Sequence, residues 1–324
     1  MSVNDLFSKL STGVLGELEQ RRKAYTKLFW KRFLILTVIT IPLAVATFII
    51  FPDSIGPACI VGALGFIVGA IWLGAVHSRF KKKFVFDFKS TVIPTVVRTV
   101  DERLVYDAHR GLMPEYHSSV LFPHRIDRLR AEDTITGTFG ETRFSFGEIH
   151  TEYKTVSTDS KGNRRESWHT IFQGLFFVGD FNKHFSGETI IDQDTMERSL
   201  GKLGRKFQSW NTNRKGELIR MDNPAFEKQF AIYSTDEQEC RYILSHSLMD
   251  RILQLNEKTK GAINLSFRNS NVYIAYTFTQ NLFEPRIFSP SLKMEDVQLL
   301  MNLIELMSGV VEDLNLNTRI WTKE

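Results

Sequence analysis

Cysteine is scarce in this chain. Only two of its 324 residues are cysteine, Cys59 in an apolar stretch and Cys240 in a polar helical pattern far away. That excludes a disulfide framework and a cysteine-based zinc site. A phosphate-binding glycine loop is also missing, since Gly201 and Gly204 are not followed by a Lys-Ser/Thr pair. No Gly-x-Ser-x-Gly elbow occurs. His109, His117, His124, His150 and His169 are scattered without ligand spacing. The chain has neither an internal repeat nor a low-complexity segment. No cofactor and no metal are expected.

Charge is missing from two places. Phe33 to Phe51 is nineteen residues without a charge, and Ile55 to Val76 is twenty-two. A helix needs about 20 apolar residues to cross the hydrocarbon core. Both runs qualify, and the link "PDS" allows only a tight helical hairpin between them. A cleaved signal peptide fits poorly, because thirty-two residues precede the first run and a second run follows at once.

The net charge of +4 is mild and unevenly spread. Arg21, Arg22, Lys23, Lys27, Lys31 and Arg32 precede the first run; Arg79, Lys81, Lys82 and Lys83 follow the second. The link carries no basic residue. The positive-inside rule therefore places both termini in the cytoplasm, and the basic balance reports membrane flanks rather than nucleic acid. The expected membrane interface comprises Trp30, Lys31, Arg32, Trp72, Arg79, Lys81, Lys82 and Lys83. The basic run after the second span also suits anionic lipid headgroups. Small residues recur at four-residue spacing in the second run: Ala58, Gly62, Gly65, Gly69, and Ala70 with Gly74. Such a stripe lets helices approach closely. Two readings stand, a homodimer interface and packing against the chain's own first span.

Residues 3–18 place Val3, Leu6, Phe7, Leu10, Val14 and Leu18 on one helical face. The polar face is poor in lysine, which favours packing on protein over lying on lipid. After the second run, Val92, Ile93, Val96, Val97, Val100 and Leu104 share a face, with Pro94 expected to break the helix. The resulting division is an amphipathic helix (1–32), a two-helix transmembrane hairpin (33–76), a helical connector (77–115), a β-rich domain (116–215) and an α+β domain (216–324), the last two either separate or continuous.

In the body, Ile149, Thr151, Tyr153 and Thr155 alternate with polar residues, the period of a half-buried strand. Ser157 to Ser167 reads as an exposed hairpin loop. From Trp168 to Val178 both alternating faces are apolar, which marks a central strand covered on both sides, and Gly174 within it marks a close contact or a bulge. Strands follow at 216–221 and 228–233, helices at 235–244 and 247–255, a hairpin over "NSN" at 262–278, and a helix at 294–314. The fold class is α+β. The 26 phenylalanines read as an aromatic core or as the lining of an apolar groove.

Three strings carry a resemblance: "FQGLFFVGDFNKHFSGETIIDQD", "MDNPAFEKQFAIYSTDEQECRYIL" and "LNLNTRIWTK". They resemble signatures of a widespread bacterial family of two-span inner-membrane proteins of unknown function. The resemblance implies an inner-membrane location. It brings no activity, substrate or catalytic residue, and implies as partner a small membrane-anchored helical protein of the LemA type.

The first string also holds the one cluster of chemically capable side chains. Asp180, His184 and Asp192 are of the types that bind a divalent metal or perform acid–base work. Asp180 and Asn182 equally suit a turn, and Asp194 to Glu197 has capping-box spacing. Ser234 to Glu237 and Thr235 to Gln238 have it too. The leading functional expectation is a non-enzymatic, membrane-anchored interaction or scaffolding protein. A lipid- or apolar-ligand-binding module and a membrane-facing enzyme using Asp180, His184 and Asp192 are the alternatives.

Overall fold

A computed structural model describes residues 2–50, 55–158, 162–181, 183–193, 216–260, 263–278, 283–314 and 316. Within the long helices, the side chains at positions 44, 47, 48, 50, 55–59, 61 and 62 are outside this description. The chain divides into two compact units, residues 1–99 with 281–301, and residues 100–280 with 302–324.

The first unit is helical. Helix α1 (Val3–Thr12) opens on a capping box between Ser2 and Asp5. Helix α2 (Val14–Ile50) follows. The single helix expected over residues 3–18 is interrupted at Gly13, and the break turns Val14 outward to 41% exposure. Leu6, Leu10, Leu15 and Leu18 are buried, so this arm packs on protein. Helix α3 (Ile55–Val100) runs straight through Pro94. The expected break there does not occur. Val92, Ile93, Val96 and Val97 are all fully buried around the proline, and that packing holds the helix through it.

Helices α2 and α3 pack antiparallel. The Tyr25 ring stacks on Phe80 at 3.7 Å. Farther along α2, Leu36 meets Gly69 and Thr40 meets Gly65. The partner on α3 recedes as the position on α2 advances, in matching steps. The described part of α3, from Ala63 to Val100, is long and apolar enough to cross a membrane, and only 6% of its most apolar window is buried.

The second unit is built on one antiparallel nine-stranded sheet, so the α+β class holds. The connector does not stay helical to residue 115. Strand β1 (Val105–Asp107) and helix α4 (Met113–Ser118) already belong to this unit. Strands β2 (Arg128–Phe139), β3 (Thr142–Thr158) and β4 (Arg164–Asp180) form a meander. Strands β5 (Thr189–Gln193), β6 (Glu217–Ile219), β7 (Phe230–Ser234), β8 (Ile263–Arg268) and β9 (Asn271–Thr277) complete the order β1-β2-β3-β4-β9-β8-β5-β7-β6. The sheet thus takes strands from both regions expected as domains. Asn269 and Ser270 join β8 to β9 with φ of 52° and 59°, the left-handed pair that a two-residue hairpin needs.

Strand β4 is central, as its two apolar faces require. Phe172 and Phe176 enter one core with Tyr116, Leu121, Ile149, Ile190 and Tyr273. Tyr116 of α4 anchors that side through a 2.9 Å hydroxyl bond to buried Thr151. Leu175 and Phe177 face the other side and are also buried. There, helix α7 (His246–Lys258) joins β5 and the start of β7 through Asn256, which bonds Gln193 and Gln229. Three further helices complete the described residues: α5 (Pro224–Glu227), α6 (Glu237–Ile243) and α8 (Met294–Asp313). Arg251 of α7 donates to the last carbonyls of α8, at Glu312 and Asp313.

Gly174 explains itself through the β4–β9 pairing. A Cβ there would lie 2.0 Å from the Tyr276 carbonyl oxygen. Backbone cannot yield as a side-chain end can. Gly174→Ala should therefore lower stability by about 3 kcal/mol or more, measured as the denaturant midpoint of the detergent-solubilised chain.

Candidate functional site

The acidic and histidine candidates come first. Asp180 ends β4 opposite Asn271, and Asp192 sits in β5 opposite Ala231. Strands β9 and β8 lie between those two. Following the register across, Ile191 is level with Leu265, Ile274 and Phe177. Asp192 is therefore level with Phe176, four residues below Asp180. With strands ~4.8 Å apart and ~3.3 Å per residue, the two aspartates are roughly 20 Å from each other. His184 is exposed in the loop between the strands. Among the described residues no three His, Cys, Asp or Glu side chains are placed to hold a metal ion. Asn182, and the capping box from Asp194 to Glu197, lie outside the described residues.

The loop after β4 has a structural partner that its sequence does not announce. The Glu239 carboxylate accepts from the Ser186 amide at 3.1 Å and the Gly187 amide at 2.6 Å. Thr235 Oγ1 accepts from the Glu188 amide at 2.9 Å. The cap of α6 is Asp236, whose side chain accepts from the Glu239 amide, and neither expected capping box forms. Ser234 and Thr235 are occupied elsewhere, because Ser234 Oγ accepts from the Asp236 amide. Lys183 Nζ donates to the Tyr242 carbonyl at 2.6 Å and lies over that ring, and burial lowers its pKa. On α6, Cys240 is fully buried, and burial pushes its thiol up to about 11, away from the depressed range of reactive thiols.

A second constellation, in the helical unit, is more tightly built. Arg22 of α2 is buried. Its Nε donates to Glu19 Oε2 at 2.9 Å, and its Nη1 donates to the Ile287 carbonyl at 2.9 Å. Glu19 Oε1 accepts from both the amide and the hydroxyl of Ser291, at 2.6 and 2.5 Å. Burial opposes the charge on Glu19, but the bonds from Arg22 and Ser291 outweigh it and hold this carboxyl below its ordinary range. One turn of α2 thus clamps the segment 287–291. At the first clamp point the Ile287 side chain is buried, and between the two points Phe288 stays 52% exposed.

Phe288 lies where the charge-free runs begin and end. Its ring centroid is 5.2 Å from Phe29 and 6.4 Å from Trp30 on α2, and 5.2 Å from His77 on α3. Tyr25 bridges the helices there through a 3.0 Å bond to His77 Nδ1. Trp30 and Trp72 are exposed, and the Arg32 guanidinium lies 5.3 Å from the Trp72 ring. Lys31, Arg79, Lys81, Lys82 and Lys83 are exposed on the same flanks. Of the small residues, Gly65 and Gly69 face α2, and a Cβ at Gly69 would come within 2.1 Å of Leu36. Gly74 faces open space. The side chains of Ala58 and Gly62 are outside the described residues.

Residues 170–316 carry a domain described as "Protein of unknown function (DUF3137)". The match takes in the first two of the three strings above and stops short of the helix pair. No curated protein and no solved structure matches the chain.

The clamp has a defined pH dependence. The folded pKa of Glu19 lies below the unfolded value, so its contribution is complete above about pH 4.3. It is lost as pH falls through the folded value. Glu19→Gln should cost about 2 kcal/mol at neutral pH and speed hydrogen exchange at the Ser291 amide. In the unaltered chain that amide should keep its protection through the neutral range and lose it only in acid.

Proposed function

We propose that the chain is a membrane-anchored, non-enzymatic interaction or scaffolding protein of the bacterial inner membrane. One observation carries the reading. Two charge-free runs pair as antiparallel helices, yet many of their described large apolar side chains stay exposed. Leu34, Val38 and Ile41 on α2 are 60–62% exposed, and Val68 and Ile71 on α3 are 65% and 68% exposed. Lipid is the solvent that suits such a surface. Basic outer flanks and a link free of lysine and arginine support a cytoplasmic position for both termini and the sheet-bearing body.

Anchoring concentrates the body near membrane partners. A LemA-type membrane protein is the first partner to test. The apolar-ligand reading has less support, because the aromatic rings pack on one another. Tyr116, Phe122, Phe172 and Phe176 lie at centroid distances of 5.1–6.1 Å. The separation of Asp180 from Asp192 likewise weakens the enzyme reading.

The test is cross-linking in native membranes followed by mass spectrometry. A reproducible protein partner of the body supports scaffolding, and none across replicates refutes it. Protease should cleave the body in inverted vesicles and spare it in intact spheroplasts; the opposite pattern would overturn the cytoplasmic placement.

A further inference from the structure

We propose that Phe288 is an interfacial membrane anchor, a contact that the segment 283–293 makes with the lipid surface beside the helix pair. The inference rests on the anchor reading above and adds a third point of membrane contact from a part of the sequence some two hundred residues farther on.

Three observations point to lipid as the occupant. The first is level. Phe288 contacts Phe29 and Trp30, which stand four and three residues before the first charge-free run, and His77, which directly follows the second. At 1.5 Å per residue along a helix, its ring lies within about 6 Å of the ends of both runs. That is the zone where aromatic side chains settle at a bilayer.

The second observation is rigidity without cover. The segment is fastened at both ends of the exposed stretch, by Arg22 on the Ile287 carbonyl and by Glu19 on Ser291. Ile287 and Leu292 are buried, so the apolar residues that protein can cover are covered. Phe288 is held outward, and its uncovered side continues the apolar surface of Trp30 and Phe33, which are 57% and 37% exposed. The third is charge. Lys31, Arg79 and Lys82 are exposed around this level, while Arg286 is paired with Asp296. Cationic residues beside an aromatic wedge suit anionic headgroups, at about 1 kcal/mol for each basic residue near the surface.

The membrane therefore touches residues that lead directly into α8. Detaching Phe288 from lipid would act on the clamp at Glu19 and Arg22 and on the start of that helix.

The experiment uses the full-length chain, with Cys59→Ala and Cys240→Ala, in vesicles of phosphatidylcholine and phosphatidylglycerol. Single cysteines carry a nitroxide at Phe288→Cys, Ser289→Cys, Phe66→Cys or Val156→Cys. The Ser289 label keeps the phenylalanine in place. Collision with oxygen, which enriches in lipid, is compared with collision with a water-soluble nickel chelate. The expected result is a lipid-type ratio at position 66, a water-type ratio at 156, and oxygen preference at 288 and 289 several-fold above that at 156. A lipid-type ratio at 66 with water-type ratios at 288 and 289 overturns this proposal and leaves the anchor reading standing. A water-type ratio at 66 overturns both.

Discussion

The structure turns on a surface that the chain leaves bare. Helices α2 and α3 touch each other along one line, Tyr25 on Phe80, Leu36 on Gly69 and Thr40 on Gly65. That line consumes the small residues facing it and little else. Among the described residues away from that line, Leu34, Val38, Ile41, Val68 and Ile71 are each at least 60% exposed. In water, the hydrophobic cost of such a surface, at about 25 cal/mol per Å², would set it against the rest of the fold. In lipid it costs nothing. Backbone groups are satisfied within each helix, as a bilayer requires of any segment that enters it.

At the edge of that surface the chemistry changes over about four turns of α2. The uncharged run gives way to Trp30 and Arg32, then to Tyr25 and the Glu19–Arg22 pair, in which Arg22 is buried and Glu19 partly so. An ion pair withdrawn from water is a poor source of stability by itself. Here its spare valences are used, since each partner also binds the backbone of segment 287–291. The pair works as a fastening that holds a distant part of the sequence at a fixed height on α2. Phe288 is the side chain which that height exposes.

The sequence carried the helix pair openly, in two charge-free runs separated by three residues. It also carried β4, whose two apolar faces permit only a central position, and Gly174, whose missing side chain admits the β9 backbone. It was silent on the clamp. Arg22 sits in a run of basic residues and reads as flank charge, while its burial depends on Ile287 and Ser291, more than 260 residues away in the sequence. Phe288 is one of 26 phenylalanines, and no local pattern sets it apart. In the other direction, Asp180, His184 and Asp192 gained weight from sequence proximity that the sheet does not preserve. Two strands intervene between the aspartates, and the loop between them serves Glu239 and Thr235. Pro94 misled for a related reason, since an apolar face buried on both sides of it in sequence can carry a helix through a residue that would break it in water.

The account stands on the helix pair being integral to a bilayer, and alkaline carbonate extraction of native membranes tests that most directly. The full-length chain should stay in the membrane pellet and float with lipid on a density gradient. Release of the intact chain into the carbonate supernatant, as for a protein held only by surface charge, would contradict it.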